Sequence, residues 1–147
     1  MDIFTQPFSL QTLTILLVDD DADDILVFKE SISDFQITIN LKLAYNGLDA
    51  ISTLTQFQDF DIIFLDINMH LMNGFECLAE IRKQSWTFPV IMLSSSNTNH
   101  YISQSRTLGA NGFITKPISL IQYQQTVKNV LSTDWTKKET EFYLDVR

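Results

Sequence analysis

The sequence predicts an α/β domain built around a doubly wound parallel sheet, and two observations support this prediction. Short apolar runs rich in Ile, Val and Leu alternate five times with segments of helical period. Three of these runs are continuously apolar, as is typical of strands that are buried on both faces of a parallel sheet. Five strand–helix units with right-handed crossovers would place helices on both faces of that sheet.

Each predicted element follows from the spacing of its apolar residues. The strands cover residues 13–18, 37–43, 62–65, 90–93 and 112–115. Between the strands, apolar residues three or four positions apart share one face of a helix. The four clear helices are marked by Ile25, Phe28 and Ile32, by Leu48, Ile51 and Leu54, by Phe75, Leu78 and Ile81, and by Leu120, Tyr123, Val127 and Val130. The fourth helix in chain order, at 101–108, is weakly patterned, because polar residues separate Ile102 from Leu108.

A single domain accounts for most of the chain. The 147 residues suit one domain of ordinary size, and a hydrophobic fraction of 45% allows a full core. We expect this domain at 12–131, after an N-terminal extension at 1–11 and before a C-terminal tail at 132–147. The tail is too short for an output domain, and we expect it to extend the last helix or to pack on the surface.

The composition excludes several classes of function. A net charge of −8 argues against nucleic-acid binding and against docking on an anionic membrane, because both need clustered Lys and Arg. No positive N-terminal region precedes a long apolar run, and no apolar stretch is long enough to span a bilayer. We therefore expect a cytoplasmic protein whose partners are proteins and cations. The single cysteine, Cys77, is interpreted as a small apolar residue on a helix.

Polar residues follow four of the five predicted strands. Asp19 and Asp20 come directly after the first strand. Asp66 follows the third strand, Ser94 the fourth and Lys116 the fifth. Ligands of an open parallel sheet bind outside the carboxyl ends of its strands, so we expect these side chains to meet at one edge.

The residue types in this set indicate a metal-assisted phosphoryl chemistry. Neighbouring carboxylates repel one another and need a cation or protons at neutral pH, and an all-oxygen cluster favours Mg²⁺. The Asp66 carboxylate can act as a nucleophile towards a phosphoryl group. The Lys116 ammonium and the Ser94 hydroxyl would then contact other phosphoryl oxygens.

Helix capping is the alternative interpretation of the acidic residues after the first strand. Asp19 and Asp20 could cap the following helix, with Asp23 and Asp24 placed in its first turn. For Asp23 and Asp24 we prefer this interpretation. For Asp20 it leaves unexplained why an apolar strand ends in acids that are matched by Asp66.

In these motifs the sequence resembles the response-regulator receiver family. The resemblance lies in residues 15–21, 64–69, 89–95 and 112–117, and it extends over nearly all of 13–131. It implies a flavodoxin-like (βα)5 fold, in which a five-stranded parallel sheet of order 2-1-3-4-5 has helices on both faces. It also implies a single-domain signalling protein similar to the chemotaxis and phytochrome-associated regulators.

The resemblance further implies roles for individual residues. Asp66 would accept a phosphoryl group from a histidine kinase or a histidine phosphotransfer protein. Asp20 and Asp66 would ligate Mg²⁺ directly and Asp19 through water, and the backbone carbonyl of Asn68 would complete the protein ligands. One departure from the family is His70, because a proline usually stands there and fixes φ, so we expect the loop after Asp66 to differ in shape.

Ser94 and Phe113 match the hydroxyl and aromatic switch pair of the family, although Phe113 lacks the hydroxyl of a tyrosine. We expect phosphorylation to draw the Ser94 loop inward and to let the Phe113 ring rotate in. The readout would lie on helix four, strand five and helix five and would contact a downstream protein or form a homodimer. The apolar or aromatic residues expected near this face are Tyr101, Ile102, Ile118 and Tyr123. A rival homodimer would use the tail residues Trp135, Phe142 and Tyr143.

Two enzyme or carrier classes compete with a signalling module, and the sequence disfavours both. A Mg²⁺-dependent phosphohydrolase with an aspartyl nucleophile often has a second acid two residues later, where this chain has Asn68. A flavodoxin-like electron carrier needs a phosphate-binding loop after the first strand, and the acids at 19–21 would repel an anionic cofactor. We therefore predict a protein that is not an enzyme.

Overall fold

Six parallel strands form the central sheet of the described part of the chain, in the order β2-β1-β3-β4-β5-β6. The computed structural model describes residues 12–116, 119–137 and 140–145, so the predicted extension at 1–11 lies outside the described residues. The strands are β1 (Thr12–Val18), β2 (Thr38–Ala44), β3 (Ile62–Asp66), β4 (Val90–Ser94), β5 (Gly112–Thr115) and β6 (Tyr143–Asp145). The helices are α1 (Ala22–Ile32), α2 (Gly47–Gln56), α3 (Gly74–Lys83), α4 (Asn99–Thr107) and α5 (Leu120–Leu131). Within these described ranges, no helix is long and apolar enough to span a bilayer.

The predicted α/β class and the predicted strand order are confirmed for the first five strands. The predicted count of five strands is wrong, because a sixth strand pairs with β5 at the edge of the sheet. All five helices are present, including the weakly patterned fourth one.

The core consists of two layers, one on each face of the sheet. In β1, Leu16 and Val18 point into the layer that α2 and α3 cover, whereas Ile15 and Leu17 point into the layer that α1 and α5 cover. Because successive strand residues face opposite sides and both sides are covered, β3 and β4 are buried at every position. This two-sided burial explains why the strands were recognisable as continuous apolar runs.

Helix α4 has a smaller share in the core than the other helices. Its one fully buried residue is Ser105, whereas Tyr101 and Ile102 are half-buried against the α2–α3 layer. The Ser105 hydroxyl donates to the carbonyl of Tyr101 at 2.8 Å, which satisfies this buried polar group within the helix. The weak apolar pattern therefore reflects a helix that buries few of its side chains.

The sixth strand comes from the segment that was expected to extend the last helix or to pack on the surface. Tyr143–Asp145 lies parallel to β5, with Tyr143 opposite Gly112, Leu144 opposite Phe113 and Asp145 opposite Ile114. The Tyr143 amide donates to the Asn111 carbonyl at 2.9 Å. The tail thus becomes part of the sheet and covers the edge of β5.

Candidate functional site

Three carboxylates meet at the carboxyl ends of β1 and β3. Carboxylate oxygens of Asp19, Asp20 and Asp66 all lie within 4.8 Å of one another. Asp66 ends β3 and Asp19 directly follows β1, and both are buried, with 4% and 1% of the residue exposed, whereas Asp20 is exposed. The Asp19 amide donates to the Ala44 carbonyl at 3.0 Å, which ties this end of β1 to β2.

Asp21, and neither Asp19 nor Asp20, caps helix α1. Its side chain accepts from the Asp23 amide at 2.8 Å and from the Asp24 amide at 3.1 Å. The Asp21 amide in turn donates to Oδ1 of Asp19 at 3.0 Å. Because Asp21 satisfies the helix terminus, the carboxylates of Asp19 and Asp20 are left for the cluster.

Lys116 connects the acids from β1, α1 and β3. Its Nζ lies 2.7 Å from Oδ1 of Asp66, 3.2 Å from Oδ2 of Asp19 and 2.7 Å from Oδ2 of Asp24. Asp24 was interpreted from the sequence as a helix-capping residue, and that interpretation is incomplete. It directly precedes Ile25, the first buried residue of α1, so the inward face of the helix reaches the cluster at this position.

Burial shapes the protonation of the cluster. It raises the pKa of Asp66 to about 6 and the pKa of Asp19 above its usual value, although Lys116 acts against both shifts. For Lys116, burial alone would lower the pKa, but hydrogen bonds and charges from Asp24, Asp66 and Asp19 raise it overall. The cluster therefore holds one ammonium group against several carboxylates and keeps an excess of negative charge.

This donor set fits a magnesium ion. Carboxylate oxygens are the ligands that Mg²⁺ prefers, and the exposed Asp20 leaves one side of the cluster open to water, which Mg²⁺ usually retains. The side-chain oxygen of Asn68 lies 3.4 Å from the Tyr101 hydroxyl. The role of the Asn68 backbone carbonyl as a ligand stays a prediction.

The loop after Asp66 has an unusual backbone. Leu71 and Met72 have φ values of 50° and 76°, in the left-handed region. Their carbonyls accept from the amides of Leu48 at 3.3 Å and Gly47 at 3.1 Å, which fixes the loop to the start of α2. The His70 amide donates to Oδ2 of Asp20 at 3.3 Å. A proline at this position would lack that amide, so His70 contributes to the cluster through its backbone.

Gly74 lies directly behind the candidate phosphoacceptor. A Cβ at this position would stand 2.3 Å from the Asp66 carbonyl oxygen and 2.7 Å from Cα of Ile67. The Gly74 amide donates to the Ile67 carbonyl at 2.8 Å. Glycine is required here because α3 begins against the backbone that carries Asp66.

The two predicted switch residues lie on neighbouring strands. Oγ of Ser94 accepts from the Ser96 amide at 3.0 Å, and the Lys116 amide donates to the Ser94 carbonyl at 2.7 Å. Phe113 is fully buried in the α2–α3 layer, and the expected rotation of its ring stays a prediction. Thr115, opposite Ser94, was not considered from the sequence. Its buried hydroxyl has no hydrogen-bond partner among the described residues.

The residues expected near the readout face differ in burial, and their role in a readout stays a prediction. Tyr101 is half-buried, and its ring packs edge-on against Phe75 at 5.4 Å between centroids. Tyr123 is buried in the α1–α5 layer, with its ring 6.1 Å from that of Phe28, as its place on the apolar face of the last helix predicts. Ile118 lies outside the described residues.

Comparisons with known proteins agree with this geometry. A family model described as the response regulator receiver domain matches residues 15–128. Response regulator SaeR of Staphylococcus aureus is 30% identical over 120 residues, which cover 82% of this chain and 51% of SaeR. The chain therefore spans about half the length of the curated relatives it matches.

Two solved structures have the same architecture. The phosphorylated cyanobacterial phytochrome response regulator RcpA is 31% identical, with 81% of this chain and 91% of that chain covered and a TM-score of 0.72. The CheX–CheY–BeF3–Mg complex of Borrelia burgdorferi matches at 26% identity, with 82% and 90% covered and a TM-score of 0.71.

Proposed function

This chain belongs to the response-regulator receiver family, and we propose that it is a phosphorylation-dependent switch with Asp66 as the phosphoacceptor. The observation that carries this proposal is the position of Asp66. It ends β3, its carboxylate is 2.7 Å from the Lys116 ammonium, and it shares a cluster with Asp19 and Asp20. We assign the receiver domain to 12–131, with 1–11 as an extension and 132–147 as a tail.

The proposed reaction is the transfer of a phosphoryl group from a phosphohistidine donor. A carboxylate oxygen of Asp66 attacks phosphorus and forms an O–P bond, while the P–N bond of the donor breaks and its electron pair leaves on the imidazole nitrogen. That nitrogen then takes up a proton. Lys116 already contacts Oδ1 of Asp66, so its ammonium can hold a phosphoryl oxygen with little movement.

Asp19, Asp20 and Asp66 would hold the magnesium ion, with the backbone carbonyl of Asn68 as a further ligand. When bound, Mg²⁺ supplies positive charge that offsets the charge on the phosphoryl oxygens. Asp24 keeps Lys116 in place, because its carboxylate binds the ammonium from the α1 side at 2.7 Å.

Receiver domains of this family act in two-component signalling and interact with histidine kinases or phosphotransfer proteins. For this chain we propose a donor of that class and a downstream partner that is a protein. The net charge of −8 favours protein contacts over contacts with nucleic acid or an anionic membrane. A homodimer on the α4–β5–α5 side would be one form of such a contact.

We propose that Ser94 starts the conformational response. Its Oγ accepts from the Ser96 amide, and its hydroxyl can donate to a phosphoryl group on Asp66 and draw the loop after β4 towards the site. The movement of this loop would change the packing around the buried Phe113 ring and shift the population between two arrangements.

Phosphorylation by a small donor tests the proposal. The protein is incubated with acetyl phosphate and Mg²⁺, and its intact mass is measured. We expect the mass to increase by one phosphoryl group in the wild type and not in Asp66→Asn, whose amide cannot form an acyl phosphate. Asp59→Asn is the matched control, because Asp59 is an exposed acid just before β3 and far from the cluster in the strand direction.

Two results would contradict the assignment. A phosphoryl adduct that persists in Asp66→Asn would place the acceptor elsewhere. An equal yield of phosphoryl adduct with and without Mg²⁺ would contradict the proposed role of the three carboxylates as magnesium ligands.

A further inference from the structure

We propose that Thr115, the last residue of β5, is a positioning residue whose hydroxyl holds Ser94 in the orientation that contacts the phosphoryl group. This inference rests on the proposed phosphorylation of Asp66, and it adds a residue that sets the balance between the two states of the domain. The observation that carries it is the buried Thr115 hydroxyl, which has no hydrogen-bond partner among the described residues and lies at the strand position paired with Ser94.

Thr115 and Ser94 lie next to each other on the same face of the sheet. They are register partners at the carboxyl ends of β5 and β4, and the Lys116 amide donates to the Ser94 carbonyl at 2.7 Å. Because side chains alternate along a strand, Thr115 points to the same side as Phe113, which packs in the α2–α3 layer. Ser94 points to that side as well, together with Met92 of β4. Neighbouring strands are about 4.8 Å apart, so hydroxyls on paired residues come within hydrogen-bond distance when their side chains turn towards each other.

The Thr115 hydroxyl is unfavourably placed in this arrangement. Only 7% of the residue is exposed, and a buried hydroxyl without a partner in the described part of the chain has lost its hydrogen bonds to water and gained none in return. A valine has nearly the same shape and fits a strand equally well, but it carries no polar atom. The hydroxyl therefore lowers the stability of this arrangement, and it favours any second arrangement in which it is paired.

Phosphorylation provides that second arrangement through Ser94. In this structure Oγ of Ser94 accepts from the Ser96 amide at 3.0 Å, in the loop after β4. A serine hydroxyl has one hydrogen and two acceptor lone pairs, so Ser94 can still accept a hydrogen bond when it turns to donate to a phosphoryl oxygen on Asp66. The Thr115 hydroxyl then donates to Oγ of Ser94 from the neighbouring strand. This hydrogen bond holds the Ser94 side chain against the phosphoryl group.

Loss of the Thr115 hydroxyl therefore has opposite effects on the two states. It stabilises the unphosphorylated protein, because a buried donor without a partner is removed. It weakens the phosphorylated state, because Ser94 loses a hydrogen bond that it accepts only there. A threonine with a purely structural role would change the stability of the domain and leave the affinity of the acidic cluster for a phosphoryl mimic as it is.

Thr115→Val in the full chain tests the inference, because valine keeps the shape of the side chain and lacks the hydroxyl. Beryllofluoride with Mg²⁺ stands in for the phosphoryl group on Asp66, and fluorine NMR measures its affinity for the protein. We expect Thr115→Val to lower this affinity about fivefold, which is the effect of one hydrogen bond. Without beryllofluoride, the melting temperature measured by circular dichroism should rise by about 3 °C.

Two further variants test whether Thr115 acts through Ser94. Thr115→Ser keeps the hydroxyl and should bind beryllofluoride as tightly as the wild type. In a chain that already carries Ser94→Ala, adding Thr115→Val should cause no further loss of affinity, because the oxygen that accepts from Thr115 is absent.

The outcomes separate this inference from the proposed function. Wild-type affinity for beryllofluoride in Thr115→Val, a lower melting temperature of that variant, or a further fivefold loss in the Ser94→Ala chain would each overturn the role of Thr115 alone. If the wild type does not bind beryllofluoride, or if Asp66→Asn binds it as tightly as the wild type, the assignment of Asp66 as phosphoacceptor is wrong and the role of Thr115 fails with it.

Discussion

The acidic cluster and the β5 edge belong to the same sheet but are held in different ways. The cluster joins side chains from β1, α1, β3 and the end of β5, and Lys116 alone contacts three carboxylates. The β5 edge is completed by one short strand at the far side of the sheet. Displacing a side chain that several elements hold disturbs all of these elements, whereas a terminal strand can open locally. The acidic cluster is therefore built into the core of the domain, whereas β6 closes the rim of the sheet.

The largest expected effect is the loss of Mg²⁺ binding at the acidic cluster. Asp20→Ala should abolish measurable Mg²⁺ binding and phosphorylation by acetyl phosphate, because it removes the exposed carboxylate of the three. Isothermal titration calorimetry with MgCl2 measures the affinity. Asp23→Ala is the control, since Asp23 is exposed in the first turn of α1 and lies outside the group of three. Unchanged Mg²⁺ affinity in Asp20→Ala would show that the ligand set is wrong.

Two glycine substitutions compare the regions directly. Gly74→Ala places a Cβ 2.3 Å from the Asp66 carbonyl oxygen, and we expect it to lower the free energy of unfolding by about 3 kcal/mol. In Gly112→Ala the nearest atoms to the new Cβ belong to Tyr143 of β6 and to the tip of the Ile91 side chain, and we expect a loss of about 1 kcal/mol.

Urea unfolding followed by circular dichroism measures both variants against the wild type. Equal losses of unfolding free energy in the two variants would contradict the idea that β6 opens independently of the acidic cluster.

A smaller effect is expected from a single contact at the edge. Thr126→Val removes the hydroxyl that donates to the Asp145 carboxylate and keeps the shape of the side chain. We expect about 1 kcal/mol less stability for β6 alone, seen as faster hydrogen exchange in 140–145. Exchange in β1 and β3 should stay as in the wild type. A uniform increase over the whole sheet would show that β6 does not open independently.

The smallest effect concerns Cys77, a buried residue of α3 whose thiol lies 3.8 Å from the Gly47 carbonyl oxygen. Burial raises the pKa of this thiol to about 12, so almost no thiolate exists at neutral pH. We expect iodoacetamide to label the native chain very slowly. The labelling rate should not change in Gly112→Ala, where only the edge is disturbed, but should rise in Gly74→Ala. Mass spectrometry of the alkylated protein distinguishes these outcomes.

Much of the fold was predictable because its signals are local. The apolar runs at 62–65 and 90–93 indicate strands that are covered on both faces. In a parallel sheet, the polar residues that follow such strands lie at the same edge. The strand β6 was missed because three residues carry no period of their own. Its place depends on pairing with β5, about thirty residues earlier in the chain.

The site was predictable to the same extent. Asp19, Asp20, Asp66 and Lys116 follow strands, and the structure brings them together as the topology requires. The contact of Asp24 with Lys116 depends on how α1 lies against the sheet, which no local pattern reveals. The burial of Phe113 agrees with its place in the predicted strand 112–115, whereas its pairing with Leu144 of β6 depends on three-dimensional packing.

The position of β6 in chain order also has a consequence for folding. Tyr143–Asp145 follow every other described element, and their pairing partner β5 belongs to a sheet whose first five strands are joined by their own crossover helices. During synthesis, 12–131 therefore emerge before the segment that covers the β5 edge, and translation proceeds at roughly 5–20 residues per second. A chain whose first five strands have assembled has an uncovered strand edge between α4 and α5 until β6 pairs with β5. Pairing of β6 with β5 is thus a later event than assembly of the first five strands. Once β6 is in place, the β5 edge of one chain can no longer pair with a strand of a neighbouring chain.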